Sequence, residues 1–253
     1  MVIDADVHIS PYPQDGGITP DEVIAAMDRA CVDKAICWLQ PPYMRGIEEA
    51  TQYVRRAAEK FPERLLPFGW VDPHFPMEEC MSLCRRCLYD YDFFGVKFNG
   101  AQNSFNMERY EQIAPLIDEI AKAGKVIAFH VGDENNDTHP VKIAEIAKRW
   151  PQLNILMVHM GGAASNMENA CIEVAAQYSN MYLVGSSVDY PYVLKAIRTL
   201  GADRVMFGSD MPFSMMEADA AGYRAFLDAY CTETEKKLVM GGNAVRLLHL
   251  KEG

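Results

Sequence analysis

At 253 residues the chain has room for one large domain or two small ones, and single α/β barrels reach about this length. With 49% apolar and 23% charged residues it has the composition of an ordinary globular protein, and no apolar run approaches the roughly 18–20 residues of a membrane span. A formal net charge of −11 argues against a nucleic-acid or anionic-membrane partner, which would require a basic patch, and leaves small molecules open.

In chain order, the first strand is expected at 2–9, "VIDADVHI". A helix follows in "TPDEVIAAMDRA", with Thr19 as N-cap, Pro20 at the first helical position and Glu22 completing a capping box. Strands at 34–40, 65–71 and 93–99 alternate with helix-patterned stretches such as "GIEEATQYVRRAAEKFPE". The stretch "CMSLCRRC" places Cys80, Cys84 and Cys87 at helical spacing; with no second Cys or His pair nearby, it reads as a helix with its sulfurs against the core. "ERYEQIAPLIDEIAKAG" is a helix ending at Gly124, and "HPVKIAEIAKRWP" one bracketed by Pro140 and Pro151. The remaining strands fall at 126–132, 154–160, 181–187 and 204–210.

Eight strands alternating with helices, about thirty residues apart, predict a parallel (β/α)₈ TIM barrel, as a single domain over 1–253. No G-x-G-x-x-G loop follows the first strand, which counts against an open doubly wound sheet. Seven cysteines without an export signal fit reduced thiols, and the cytoplasm is the default location.

Active sites of such barrels lie at the C-terminal strand ends, and polar residues collect there: Asp6 and His8, Lys97 and Asn99, His130, His159, and Asp210. In a regular strand, side chains two apart share a face, so Asp4, Asp6 and His8 are all expected to point inward. Asp6 and His8 are then able to grip one metal ion, with His130 and Asp210 closing its coordination. Carboxylate and imidazole together suit Zn²⁺, Mn²⁺ or Fe²⁺. Lys97 also faces inward, where an unpaired ammonium is costly, and Asp4 offers it a partner. Arg45, in "QPPYMRG", and Lys97 are the cations available for a substrate carboxylate, and Phe213 offers an apolar wall. Asp72 and His74 border the site or form a turn at Pro73, and His139 belongs at the entry to the next helix.

The ordered motifs "IDADVHIS", "GVKFNG", "AFHVGD", "MVHMGG", "MFGSDMPF" and "GGNAVRLLHL" resemble the amidohydrolase superfamily, in its amidohydrolase-related (amidohydrolase 2) branch, from Ile3 to about Leu250. The resemblance implies a TIM barrel holding one or two divalent ions that activate water. By it, His8 and His130 match metal ligands, and His159 matches a ligand or substrate-orienting histidine. Asp210 matches an aspartate that binds metal and shuttles a proton. Lys97 lies where some members carry a carboxylated lysine. Asp6 departs from the usual H-x-H; some decarboxylases of the branch have glutamate there, and an aspartate favours a harder ion such as Mn²⁺.

The leading expectation is metal-assisted hydrolysis of an amide, ester or lactone of a small molecule, with Asp210 and His159 catalytic and Zn or Mn as cofactor. The alternatives are a metal-dependent decarboxylase or hydratase of a small carboxylic acid, and a metal-free lactonase-like hydrolase or a binding barrel. A homo-oligomer is expected by analogy alone.

Overall fold

The computed structural model describes residues 1–12, 18–40, 47–103, 105–106, 109–132, 138–163 and 166–251. Eight strands follow one another around a single sheet: β1 (Ile3–Ile9), β2 (Lys34–Leu39), β3 (Leu65–Trp70), β4 (Gly95–Phe98), β5 (Val126–His130), β6 (Ile155–Val158), β7 (Met181–Val184) and β8 (Val205–Met206). Every neighbouring pair from β1 to β8 is parallel. The last and first strands meet through Ala5 N–H to Phe207 O (2.9 Å), His8 N–H to Met211 O (2.8 Å) and Asp210 N–H to Asp6 O (2.9 Å), so the expected TIM barrel is present.

The helices form as their end signals dictate. Helix α1 (Pro20–Ala30) starts at Thr19, whose hydroxyl accepts from Glu22 N while Glu22 reaches back to the Thr19 amide. Helices α2 (Ile47–Lys60), α3 (Met77–Arg85) and α4 (Tyr110–Lys122) follow, and Gly124 after α4 has φ +65°. α5 (Pro140–Arg149) begins where the His139 ring accepts from Val141 N, the entry role expected of it. α6 (Glu168–Ala175), α7 (Tyr190–Leu200), α8 (Met216–Tyr230), α9 (Glu233–Lys237) and α10 (Asn243–Leu247) complete the chain. Cys80, Cys84 and Cys87 are buried along α3 and the π-helical turn that extends it, as expected. Among the described residues no helix is long and apolar enough to cross a membrane.

Two apolar layers hold the barrel. The outer one packs strand residues such as Val7, Cys37 and Val96 against the helices; the inner one joins Ile3, Ala5, Ile36, Trp38, Leu66, Phe68 and Leu156. Ala244, Leu247 and Leu248 belong to the inner cluster, so the "GGNAVRLLHL" stretch packs against the barrel interior. Asn243 holds it by donating to the carbonyls of Ala202 and Val205, both at 2.7 Å. Close packing also dictates Gly95, where a Cβ would lie 2.2 Å from Val126 O.

Strand β1 breaks the simple alternation. Its register with β2 runs Ile3–Lys34 and Asp4–Ala35, then Val7–Cys37 and His8–Trp38, so one extra residue sits between Asp4 and Val7. This is a bulge: two residues of β1 oppose one of β2, and the side-chain phase flips. Ile3 and Ala5 join the inner layer, and Val7 and Ile9 join the outer. Asp4, opposite the outward Ala35, therefore does not share the face of Asp6 and His8, which corrects the expectation for Asp4. Its Oδ1 instead accepts from the amides of Asp6 (3.0 Å) and Ser209 (2.9 Å), tying β1 to the start of the segment after β8.

Candidate metal centre

At the C-terminal mouth, ligand atoms of Asp6, His8 and Asp210 lie within 4.8 Å of one another, and all three residues are buried. His8 comes from the end of β1, where its ring is fixed twice. Nδ1 lies 2.9 Å from Leu39 O, and Trp38 Nε1–H points at Nε2 from 3.2 Å. Nε2 is 3.4 Å from both Asp6 Oδ1 and Asp210 Oδ1. Burial and Lys97 push the His8 pKa down, but the two carboxylates outweigh them and raise it. The point between these three groups draws a positive charge, whether proton or metal ion.

Asp6 is fully buried among cations and donors. Its Oδ2 accepts from Ser186 Oγ at 2.6 Å, whereas Oδ1 has no hydrogen-bond partner among the described residues. A buried carboxylate oxygen without a donor, beside an imidazole and a second carboxylate, is the donor set a divalent ion completes. The residues present thus fit the expected divalent cofactor. Burial alone would raise the Asp6 pKa, but the charge of Lys97, then His159 and His8, holds it far below the usual carboxylate range.

Lys97, expected to pair with Asp4, pairs with Asp6: its Nζ is 3.6 Å from Asp6 Oδ1, because the bulge turns Asp4 away. The ammonium is 0% exposed, has no hydrogen-bond partner among the described residues, and lies 3.8 Å from the Trp38 ring centroid and 5.5 Å from that of Trp70. Burial lowers the Lys97 pKa while Asp6 and Asp210 oppose the change. Asp6 and Lys97 form an ionic pair, and its attraction depresses the Asp6 pKa.

His130, at the end of β5, is not one of that close group; its ring stands edge-on to that of His159, with centroids 4.6 Å apart. Burial, then His159 and Lys97, hold its pKa well below the ordinary histidine value. His159 Nδ1 is 3.0 Å from Ser186 Oγ and 3.6 Å from Asp6 Oδ2. His159 (φ +69°), Ser187 (φ +55°) and Asp210 (φ +65°) all adopt left-handed backbone just past their strands. Such conformations are uncommon outside glycine and gather at functional sites.

The other expected residues take varied places. Asn99 Oδ1 accepts from Gln102 N at 3.1 Å, a bond within its own loop. Phe213 meets the His8 ring edge-on at 5.5 Å and is 56% exposed, an apolar lip at the mouth. Asp72 makes the turn foreseen at Pro73, accepting from His74 N. Arg45 and most of the "GDENND" loop lie outside the described residues. Sequence reasoning passed over Ser186, Ser187, Trp38 and Trp70. The "GSS" after β7 carried a usable signal, since Ser186 continues the inward series of Tyr182 and Val184. Ser187 is exposed and donates to Asp210 Oδ2 at 3.0 Å.

The chain is 23% identical to the gamma-resorcylate decarboxylase of Rhizobium sp. (strain MTP-10005), over an alignment covering 91% of this chain and 87% of that one. Its fold is similar to that of 5-carboxyvanillate decarboxylase from Sphingomonas paucimobilis, with a TM-score of 0.78 at 17% identity and 99% of each chain covered. It is also similar to a dihydroxybenzoic acid decarboxylase from Polaromonas sp. JS666, solved with bound manganese and 2-nitroresorcinol: TM-score 0.74, 18% identity, 100% of this chain and 98% of that one. These relatives overturn the leading expectation of hydrolysis, because all three are decarboxylases. The physical reason is that one metal-binding rim serves either reaction, activating water or holding a carboxylated substrate, and ligand identity alone does not select between them. Residues 3–250 match the amidohydrolase family model, and the chain belongs to that family of enzymes.

Proposed function

We propose that this protein is a metal-dependent decarboxylase of a small aromatic carboxylic acid bearing a neighbouring oxygen substituent. The observation that carries the reading is the close group of Asp6, His8 and Asp210, with Asp6 Oδ1 lacking a hydrogen bond among the described residues, in a chain whose relatives share this reaction. Asp6, His8 and Asp210 would hold the ion, and two carboxylates in that set favour manganese over zinc. When bound, the ion supplies positive charge that holds the substrate's oxygens and spreads the negative charge building on the ring.

The chain's own residues supply the rest. Loss of carbon dioxide leaves the electron pair of the broken C–C bond on the ring carbon, which must take up a proton. Asp210 would give it, and its second oxygen, bonded to the exposed Ser187 hydroxyl, offers a route for proton return from solvent. His159 would hydrogen-bond a substrate oxygen, and the exposed Phe213 would meet the ring at the lip.

The test uses protein stripped with EDTA and reloaded with Mn²⁺ or Zn²⁺, offered 2,6-dihydroxybenzoate and 5-carboxyvanillate, with carbon dioxide measured. Metal-dependent release is expected, and Asp210→Asn should slow it at least ~100-fold at full metal loading. No release from a panel of hydroxybenzoates by fully loaded protein would refute the reading.

A further inference from the structure

We infer that Ser186 is a positioning residue, whose single hydroxyl decides which oxygen of Asp6 faces the metal and which nitrogen of His159 faces the substrate. Ser186 is completely buried just beyond β7, with Oγ 2.6 Å from Asp6 Oδ2 and 3.0 Å from His159 Nδ1. Asp6, with the Lys97 ammonium 3.6 Å away, is a carboxylate and can only accept. The one hydroxyl hydrogen of Ser186 is therefore committed to Asp6, and towards His159 the same oxygen can only accept.

It follows that His159 Nδ1 carries the proton. The backbone agrees, since Ser186 O, another pure acceptor, lies 3.3 Å from the same nitrogen. In the neutral ring Nε2 then keeps its lone pair, ready to accept from a substrate hydroxyl or to hold a proton there. On the other side, the bond occupies Asp6 Oδ2 and leaves Oδ1, 3.4 Å from His8 Nε2 and without a hydrogen bond among the described residues, as the oxygen facing the metal position. Without the hydroxyl, Asp6 Oδ2 and His159 Nδ1, now 3.6 Å apart, would close on each other, turning both away from these tasks.

Only the use of Nε2 in catalysis rests on the decarboxylase reading; the proton position and the metal effect do not. Long-range ¹H–¹⁵N correlation spectra of histidine-labelled protein at mildly alkaline pH, with His159→Gln to assign the signal, report the tautomer. The Nδ1–H form is expected in the wild type, and the Nε2–H form would overturn the inference. Mn²⁺ titration of Ser186→Ala should show affinity lowered ~10–100-fold, while Ser186→Thr, which keeps the hydroxyl, should stay within about threefold of the wild type. Ser186→Ala binding Mn²⁺ as tightly as the wild type would also overturn it. Neither readout uses turnover, so a protein that decarboxylates nothing still answers the question. If Ser186→Ala does not fold, the wild-type spectrum and Ser186→Thr decide.

Discussion

Replacing Lys97 with methionine removes a charge and keeps most of the side-chain volume. Lys97 Nζ and Asp6 Oδ1 are 3.6 Å apart, and both residues are 0% exposed. At an effective dielectric constant of about 20, unit charges at that distance attract by about 5 kcal/mol. The variant escapes the desolvation of the ammonium but leaves a buried carboxylate whose strongest attractive neighbour is gone. Removing one partner of a buried pair typically costs about 3–5 kcal/mol, and that is the loss expected near neutral pH. In a chain of this size it lowers the melting temperature by roughly 6–20 °C.

The loss should depend on pH in a defined direction. The folded-state pKa of Asp6 lies far below its unfolded value, so its contribution is present above the ordinary carboxylate pKa and disappears as pH falls through the folded value. Without Lys97 that depression shrinks, so the deficit is full at pH 7 and narrows only below the ordinary carboxylate pKa, at about pH 3. Mn²⁺ replaces the missing positive charge beside Asp6 and should stabilise the variant more than the wild type. Urea unfolding of EDTA-treated protein at both pH values, with and without Mn²⁺, measures all three effects. A Lys97→Met protein within about 1 kcal/mol of the wild type at pH 7 would refute the argument, since breaking this pair would then lack the cost expected of a buried one.

Asp4 behaves in the opposite sense: burial, against the bonds from Ser209 and Asp6, raises its pKa from 3.8 to about 7. Its folded value exceeds the unfolded one, so this group withdraws stability as pH rises between those two values. Asp4→Asn keeps an acceptor for the two amides and should gain on the wild type over that range; a pH-independent difference in urea midpoint would contradict this. Gly95→Ala would place a Cβ 2.2 Å from Val126 O and 2.3 Å from Phe68 Cε1, forcing β4 and β5 apart. A loss of about 3 kcal/mol or more is expected in denaturant unfolding, and an unchanged midpoint would contradict the packing described.

The barrel was legible in the sequence because its signals are local. Strand and helix periods, the Thr19 capping box and Pro140 each act within a few residues, and eight repeats leave little choice of architecture. The rim followed, since strand ends in such a barrel converge on one mouth; Asp6, His8, His130 and Asp210 were named from that, and all but His130 form the close group. Tertiary structure decided what counting along the chain does not show. Alternation holds only in a regular strand, and the extra residue in β1 is visible only against the register of β2; it turned Asp4 away and gave Lys97 to Asp6. The Ser186–Asp6 bond joins residues 180 positions apart, and depends on how far each strand is staggered around the barrel. Local sequence fixes the face a side chain takes within its own strand; the partner it meets across the barrel is set by the register of every strand between them.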